Sequence, residues 1–171
     1  MSTDLAILAE IDAAFGAVER PEHFTNFSHC DECAEHDALL RTRDRESLRA
    51  EDVSNPGWDP LCFCSPIGIA YYFPTLARLA LVESHPGQGW YAEQLLFHLY
   101  SGFTENAFFQ FCSAGQRKAV AGFIEHIIET RAPIIDSYAA TDDFLRCHEL
   151  WHYAQPVFAG DAPPIGGAPL N

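Results

Sequence analysis

The chain has few basic residues, no long apolar run and none of the glycine motifs that bind phosphate. Its 171 residues include 10 Lys and Arg against 24 Asp and Glu, which gives a net charge of −14. Such an excess of negative charge repels phosphate backbones and anionic lipid headgroups, so we expect no nucleic-acid partner and no membrane partner. A basic protein is the partner that this charge favours. The sequence leaves the oligomeric state open.

Segments that direct a chain to or across a membrane are also missing. No apolar run approaches the ~18 residues of a membrane span, and the first residues lack the basic segment of a secretory signal. We therefore expect a cytoplasmic protein, in which the six cysteines are thiols or metal ligands rather than disulfides. No G-x-S-x-G nucleophile elbow occurs, and Gly87-Gln88-Gly89 lacks the remaining residues of a phosphate-binding loop.

What the sequence does contain is one helical pattern after another, with apolar residues at spacings of three and four. These patterns predict helices over 5–18, 29–40, 66–83 with a kink or break at Pro74, 90–100, 113–131 and 142–154. A strand and a buried turn are equally compatible with 108–111. The prediction is a single all-α domain over 1–159, a bundle of about six or seven helices with at most one short strand pair. The Gly-, Pro- and Ala-rich stretch 160–171 is predicted to be a flexible tail.

The densest group of metal-ligand side chains lies in the segment His29-Cys30-Asp31-Glu32-Cys33-Ala34-Glu35-His36. Two cysteines three residues apart, with a histidine three further on, have the spacing of a Zn²⁺ site. We predict a helix that is capped by Ser28 and begins at His29. A rotation of about 100° per residue then places all four side chains on one side of it. The predicted Zn²⁺ ligands are therefore Cys30, Cys33, His36 and His29.

Three interpretations of this segment stay open. The spacing i, i+4, i+7, i+11 from His29 to Leu40 is also that of a buried helix face, in which a free cysteine is an ordinary core residue. The two cysteines are also spaced as a redox dithiol, although C-x-x-C pairs of that kind usually follow a strand. If the segment binds Zn²⁺, Cys62 and Cys64 of the later Cys-Phe-Cys are further candidates for the fourth ligand.

A second pattern, His148-Glu149-Leu150-Trp151-His152, has the letters of H-E-x-x-H. In that motif two histidines one helical turn apart hold Zn²⁺, and the glutamate activates a water. It supports the alternative of a zinc hydrolase with Glu149 as catalytic base and with His148 and His152 as ligands. The third ligand of a catalytic site is missing nearby, because only Asp161 follows with a suitable side chain. We therefore expect solvated histidines on a terminal helix and a chain that is not an enzyme.

Two segments carry a resemblance to a known family. His29-Cys30-Asp31-Glu32-Cys33 and Tyr71-Tyr72-Phe73-Pro74-Thr75-Leu76 resemble small uncharacterised bacterial proteins that have an HC-x-EC segment followed by a YYLPA-like segment. The similarity covers 24–81, and Phe73 and Thr75 depart from it conservatively. The resemblance implies a bacterial, helical, cytosolic domain and no particular activity.

The function expected from the sequence is that of a small acidic cytosolic protein with a structural Zn²⁺ site over 29–36. The alternatives are the zinc hydrolase and an acidic protein that binds and neutralises a basic partner.

Overall fold

The computed structural model describes residues 3–83 and 89–155, which form eight α-helices and two short 3₁₀ helices. The 3₁₀ helices are Pro60–Phe63 and Phe103–Glu105. The α-helices are α1 (Asp4–Phe15), α2 (Asp31–Arg41), α3 (Ala50–Val53), α4 (Pro66–Ala80), α5 (Tyr91–Tyr100), α6 (Ala107–Phe111), α7 (Ala114–Ser137) and α8 (Thr141–Tyr153).

This architecture confirms the predicted all-α class. The described residues contain no named strand, and an isolated antiparallel bridge joins Thr25 to Cys64. They contain eight helices where about six or seven were predicted, because the short helices α3 and α6 lie in segments that periodicity does not resolve. The predicted tail over 160–171 lies outside the described residues.

Helix α4 is the central element of the core. Ser65 caps it by accepting a hydrogen bond from Gly68, and Pro66 occupies the first turn, where no N–H is required. The ring of Phe73 packs against Phe15 and Phe108, with ring centroids 4.7 and 5.5 Å apart. These contacts join α1 and α6 to α4.

The predicted break at Pro74 does not occur, and α4 continues as one helix to Ala80. An interior proline costs roughly 3 kcal/mol, because it removes a hydrogen bond and crowds the preceding turn. Pro74 and its neighbours Phe73 and Thr75 are all buried. Packing around this turn therefore outweighs the local preference of the proline.

Two other predictions fail for local reasons. The segment 108–111 is helical because the Asn106 side chain caps α6, accepting a hydrogen bond from Phe109 N at 2.9 Å. Helix α8 begins at Thr141 rather than at the predicted residue 142; it starts without a side-chain cap, and the Thr141 hydroxyl donates to Asp136 at 2.7 Å. The predicted end of the preceding helix near Arg131 coincides with a kink there, after which α7 continues to Ser137.

Arg45 ties the end of α1 to the middle of α4. Its guanidinium donates to the carbonyls of Phe15 at 3.0 Å, Val18 at 2.8 Å and Tyr71 at 2.6 Å. The same group lies 4.4 Å from the centroid of the Tyr71 ring. The Thr75 hydroxyl of α4 donates in return to the Arg45 carbonyl. The connection between α2 and α3 is therefore fixed against the core.

Helix α1 is also joined to α7 through one carboxylate. Asp4 accepts hydrogen bonds from Arg131 at 2.6 and 2.8 Å and lies 2.6 Å from His126 Nε2. The Arg131 guanidinium, assisted by His126, lowers the pKa of Asp4 to about 2, against the opposing effect of burial. This contact joins the first turn of α1 to the kinked part of α7.

We expect Phe73→Ala to lower the free energy of unfolding by about 3–5 kcal/mol, because it leaves a cavity among rings from three other helices. Phe73 is 0% exposed, whereas Phe97 is 60% exposed. Phe97→Ala is the matched control and should change stability by no more than about 0.5 kcal/mol. Urea unfolding followed by far-UV circular dichroism measures both. Equal effects of the two substitutions would contradict the described core.

Candidate metal centre

One buried carboxylate holds the segment that leads into α2. Asp37 Oδ1 accepts hydrogen bonds from Phe24 N at 2.7 Å and Thr25 N at 3.1 Å, and its Oδ2 lies 2.7 Å from His23 Nδ1. Burial opposes ionisation, but the bonds from His23 and the two N–H groups hold the pKa of Asp37 below its usual value. The Thr25 hydroxyl also donates to the Cys33 carbonyl at 2.7 Å. The approach to α2 is therefore well defined.

Helix α2 begins at Asp31, so the predicted start at His29 with Ser28 as its cap is wrong. Cys30 is the N-cap instead. Its backbone is extended, with φ −162° and ψ 169°, and its Sγ accepts a hydrogen bond from Cys33 N at 3.4 Å. His29 consequently precedes the helix, and the turn, not helical periodicity, brings it close to the cysteines.

Three of the four predicted ligands come together at this N-terminus. The Sγ atoms of Cys30 and Cys33 are 3.2 Å apart, and His29 Nδ1 is 3.6 Å from Cys33 Sγ. One ligand atom from each residue lies within 4.8 Å of the other two. Tetrahedral Zn²⁺ separates two sulfur ligands by about 3.8 Å, and a sulfur from a nitrogen by about 3.6 Å. The His29–Cys33 distance fits, and the sulfur pair needs to open by about 0.6 Å.

The two thiols differ in exposure and in acidity. Cys30 is exposed, whereas Cys33 is buried. The hydrogen bond from the Cys33 N–H, together with the hydrogen bonds that link Cys30 to the Cys33 thiol and to His29, lowers the pKa of Cys30. The hydrogen bond with Cys30, together with burial, raises the pKa of Cys33. The cluster therefore presents one accessible sulfur that ionises readily and one shielded sulfur behind it.

His36, the fourth predicted ligand, lies apart from this cluster. Its ring is 0% exposed and packs against Phe63 and Trp58, with ring centroids 4.7 and 4.5 Å away. Its Nε2 is 3.9 Å from Glu32 Oε1, and within the described residues neither ring nitrogen has a hydrogen-bond partner. His36 is thus a core residue between α2 and the 3₁₀ helix Pro60–Phe63.

The two further candidates for the fourth position also lie elsewhere. A Cβ atom at Gly68 would meet Cys64 Sγ at 2.6 Å, so the Cys64 thiol packs where only glycine leaves room, and burial raises its pKa. Cys62 is exposed and groups with two buried residues, Asp59 and His98, with ligand atoms within 4.8 Å of one another. Sequence spacing does not reveal this second group, because Asp59 is part of a turn pattern and His98 is isolated in the sequence.

The H-E-x-x-H segment lies in α8, where the rings of His148 and His152 are 5.2 Å apart. An open groove of about 920 Å³ lies beside His152 and is also lined by Glu125. Over 3–83 and 89–155, no third His, Cys, Asp or Glu forms a ligand cluster with these two histidines. Asp161, the residue considered from the sequence, lies outside the described residues. The hydrolase alternative therefore has two neighbouring imidazole rings without a third ligand among the described residues, and we do not propose it.

Comparisons with protein families, curated proteins and solved structures found no match to this chain. The resemblance to the HC-x-EC proteins stays a prediction. Among the described residues, no helix is long and apolar enough to cross a membrane.

In metal-free protein, we expect iodoacetamide to modify Cys30 at lower pH than Cys62. Both side chains are exposed. The Cys33 N–H lowers the pKa of Cys30, whereas burial and the charge of Asp59 raise the pKa of Cys62. Because the thiolate is the reactive form, the pH profile of alkylation follows the pKa. Peptide mass spectrometry measures both profiles in one sample, and a Cys62 profile at or below that of Cys30 would contradict this arrangement.

Proposed function

We propose that this protein binds one Zn²⁺ ion at its surface through His29, Cys30 and Cys33, with the fourth coordination position open to solvent. The supporting observation is the convergence of two thiols and an imidazole at the N-terminus of α2, at distances of 3.2 and 3.6 Å. Thiolate and imidazole are preferred ligands of Zn²⁺. Three protein ligands with an exchangeable fourth are typical of zinc sites that act on a bound molecule.

The charges around the cluster suit this ion. Two thiolates balance the two positive charges of Zn²⁺, and Asp31 and Glu32 add acidic groups in the first turn of α2. The N–H groups of that turn favour the Cys30 thiolate, whereas Cys33, whose pKa is raised, would lose its proton when the ion binds.

A bound ion would contribute little to the stability of the fold. In this respect the proposed site differs from the structural Zn²⁺ site expected from the sequence. All three ligands lie within 29–33, so coordination closes a very short loop and restricts the unfolded chain only slightly. The preceding segment is already held by Asp37. We therefore assign the open position a binding role, to be filled by water, a small anion or a side chain of a partner.

Cys30→Ser is the sharpest test of this site. Serine is a preferred N-cap, so the variant keeps the start of α2 while removing a sulfur ligand. We expect it to lose one equivalent of Zn²⁺ per chain relative to wild type, measured by elemental analysis after dialysis. Cys64→Ala is the matched control, since it removes a thiol that lies outside both ligand clusters. Unchanged zinc content in Cys30→Ser would refute the proposed function.

The same geometry favours a second candidate function, reversible oxidation of Cys30 and Cys33. Their sulfurs are 3.2 Å apart, and a bond of about 2.0 Å requires only a small approach. In this reaction the exposed Cys30 thiolate attacks a small disulfide and releases one thiolate, and Cys33 then displaces the second. The protein loses two electrons and two protons, and the small disulfide is reduced to two thiols.

Glutathione disulfide separates the two functions. Metal-free wild type should lose two hydrogen atoms by mass spectrometry, and Cys33→Ser should stop at a mixed disulfide on Cys30. Saturating Zn²⁺ should suppress the oxidation of wild type if it binds the two thiolates. If zinc-treated protein is oxidised as fast as metal-free protein, the thiols are not ligands and the redox function is the better one.

A further inference from the structure

A buried acid–imidazole pair lies where the 3₁₀ helix Pro60–Phe63 meets α5. Asp59 caps the 3₁₀ helix, with Oδ1 accepting a hydrogen bond from Leu61 N at 2.9 Å. Its Oδ2 is 2.7 Å from His98 Nε2 on α5. The side chains of His98 and Asp59 are 6% and 4% exposed. Both residues are therefore held in place by packing before any ligand binds.

Cys62 places an exposed sulfur at the edge of this pair. It lies one turn after Asp59, and its N–H donates to the Asp59 carbonyl at 3.2 Å. One ligand atom each from Asp59, Cys62 and His98 lies within 4.8 Å of the other two. The pair itself is buried, so the exposed thiol marks the side from which an ion would enter.

The buried carboxylate has little positive charge nearby. Among the described residues its ion-pair partner is His98, and no Lys or Arg pairs with it. Gln94 adds a neutral amide, whose Nε2 is 2.5 Å from Asp59 Oδ2 and 2.8 Å from the Val53 carbonyl. A buried carboxylate is costly without a compensating cation, so this position favours one.

A second buried group beside the pair lacks a partner. Tyr91, Gln94 and His98 occupy one face of α5, and in the described structure the Tyr91 hydroxyl is buried without a hydrogen-bond partner. Burial, and then the charge of Asp59, raise the pKa of Tyr91, which places the phenol within electrostatic range of the carboxylate.

We propose that Asp59, Cys62 and His98 form a second site, for a divalent transition metal of the Zn²⁺ class. One oxygen, one sulfur and one nitrogen ligand suit Zn²⁺ or Co²⁺, whereas Ca²⁺ and Mg²⁺ take oxygen ligands. The ion would replace the proton between Asp59 and His98, which moves to His98 Nδ1, or to solvent if Nδ1 already carries one, and would open that pair from 2.7 Å to about 3.4 Å. Cys62 releases its proton to solvent, and the two anionic ligands neutralise the ion. Gln94 orients the carboxylate from outside the coordination sphere.

This second site is independent of the first, and its ligands come from two different parts of the fold. Asp59 and His98 are 39 positions apart, so a bound ion would connect the 3₁₀ helix to α5. Because the ion binds the folded chain and finds no such ligand set in the unfolded one, it should raise the melting temperature.

Co²⁺ titration in the Cys30→Ser background tests the second site alone, since that variant lacks a ligand of the first. We expect about one equivalent of Co²⁺ to bind, with a thiolate-to-cobalt charge-transfer band in the near ultraviolet. Adding Cys62→Ala should abolish the band and the metal-induced rise in melting temperature. Adding Cys64→Ala, which removes a thiol two positions away, should preserve both.

Two results would overturn the second site: no band in the Cys30→Ser background, or a band that survives Cys62→Ala. Failure of the first site has a different signature, because Cys30→Ser would then leave the zinc content of wild type unchanged. Far-UV circular dichroism checks the fold of each variant. Cys62→Ser replaces the alanine variant if the latter does not fold, with the same expected loss of the band.

Discussion

From residue 68 to residue 77 helix α4 is buried at every position, and a helix without an exposed face must give each polar side chain a partner inside the protein. The Tyr72 hydroxyl donates to the Leu40 carbonyl at 2.7 Å and to the Arg43 carbonyl at 2.9 Å. These carbonyls belong to the end of α2 and the residues that follow it. The hydrogen bonds of the buried Tyr72 hydroxyl therefore also position α2, which carries the candidate Zn²⁺ cluster at its opposite end.

The two candidate sites depend on the fold to different degrees. His29, Cys30 and Cys33 need only a turn followed by the first residues of a helix, and Asp37 stabilises that turn. Asp59 and His98 meet only after the 3₁₀ helix Pro60–Phe63 has packed beside α5. A local site can persist when the core loosens, whereas the second site disappears with the packing that forms it.

The helical class and the close approach of the Cys30 and Cys33 side chains were predictable, because periodicity and short-range spacing determine them. The start of α2 was not predictable, because serine is ordinarily the better N-cap, whereas here the N-cap is Cys30. His36 has the same spacing as a ligand and as a core residue, and only its packing against Phe63 and Trp58 distinguishes the two. The Asp59–His98 pair depends on tertiary contact, which single-sequence spacing does not report.

The bacterial origin implied by the resemblance, the cytoplasmic location expected from the missing targeting segments and the basic partner expected from the net charge stay predictions. The acidic surface is compatible with an exposed cation site, because it raises the local concentration of positive ions.

The contact of Asp4 with Arg131 and His126, which joins α1 to α7, affects how the chain folds during its synthesis. Asp4 and Arg131 are 127 positions apart, so α1 leaves the ribosome long before its partner on α7 exists. At about 5–20 residues per second, the delay between these two residues is roughly 6 to 25 s. Ile7, which faces Gly122 of α7 in the folded protein, is uncovered on that side during this time. The nascent chain therefore exposes the apolar face of α1, formed by Ile7, Ile11 and Phe15, which the finished protein buries.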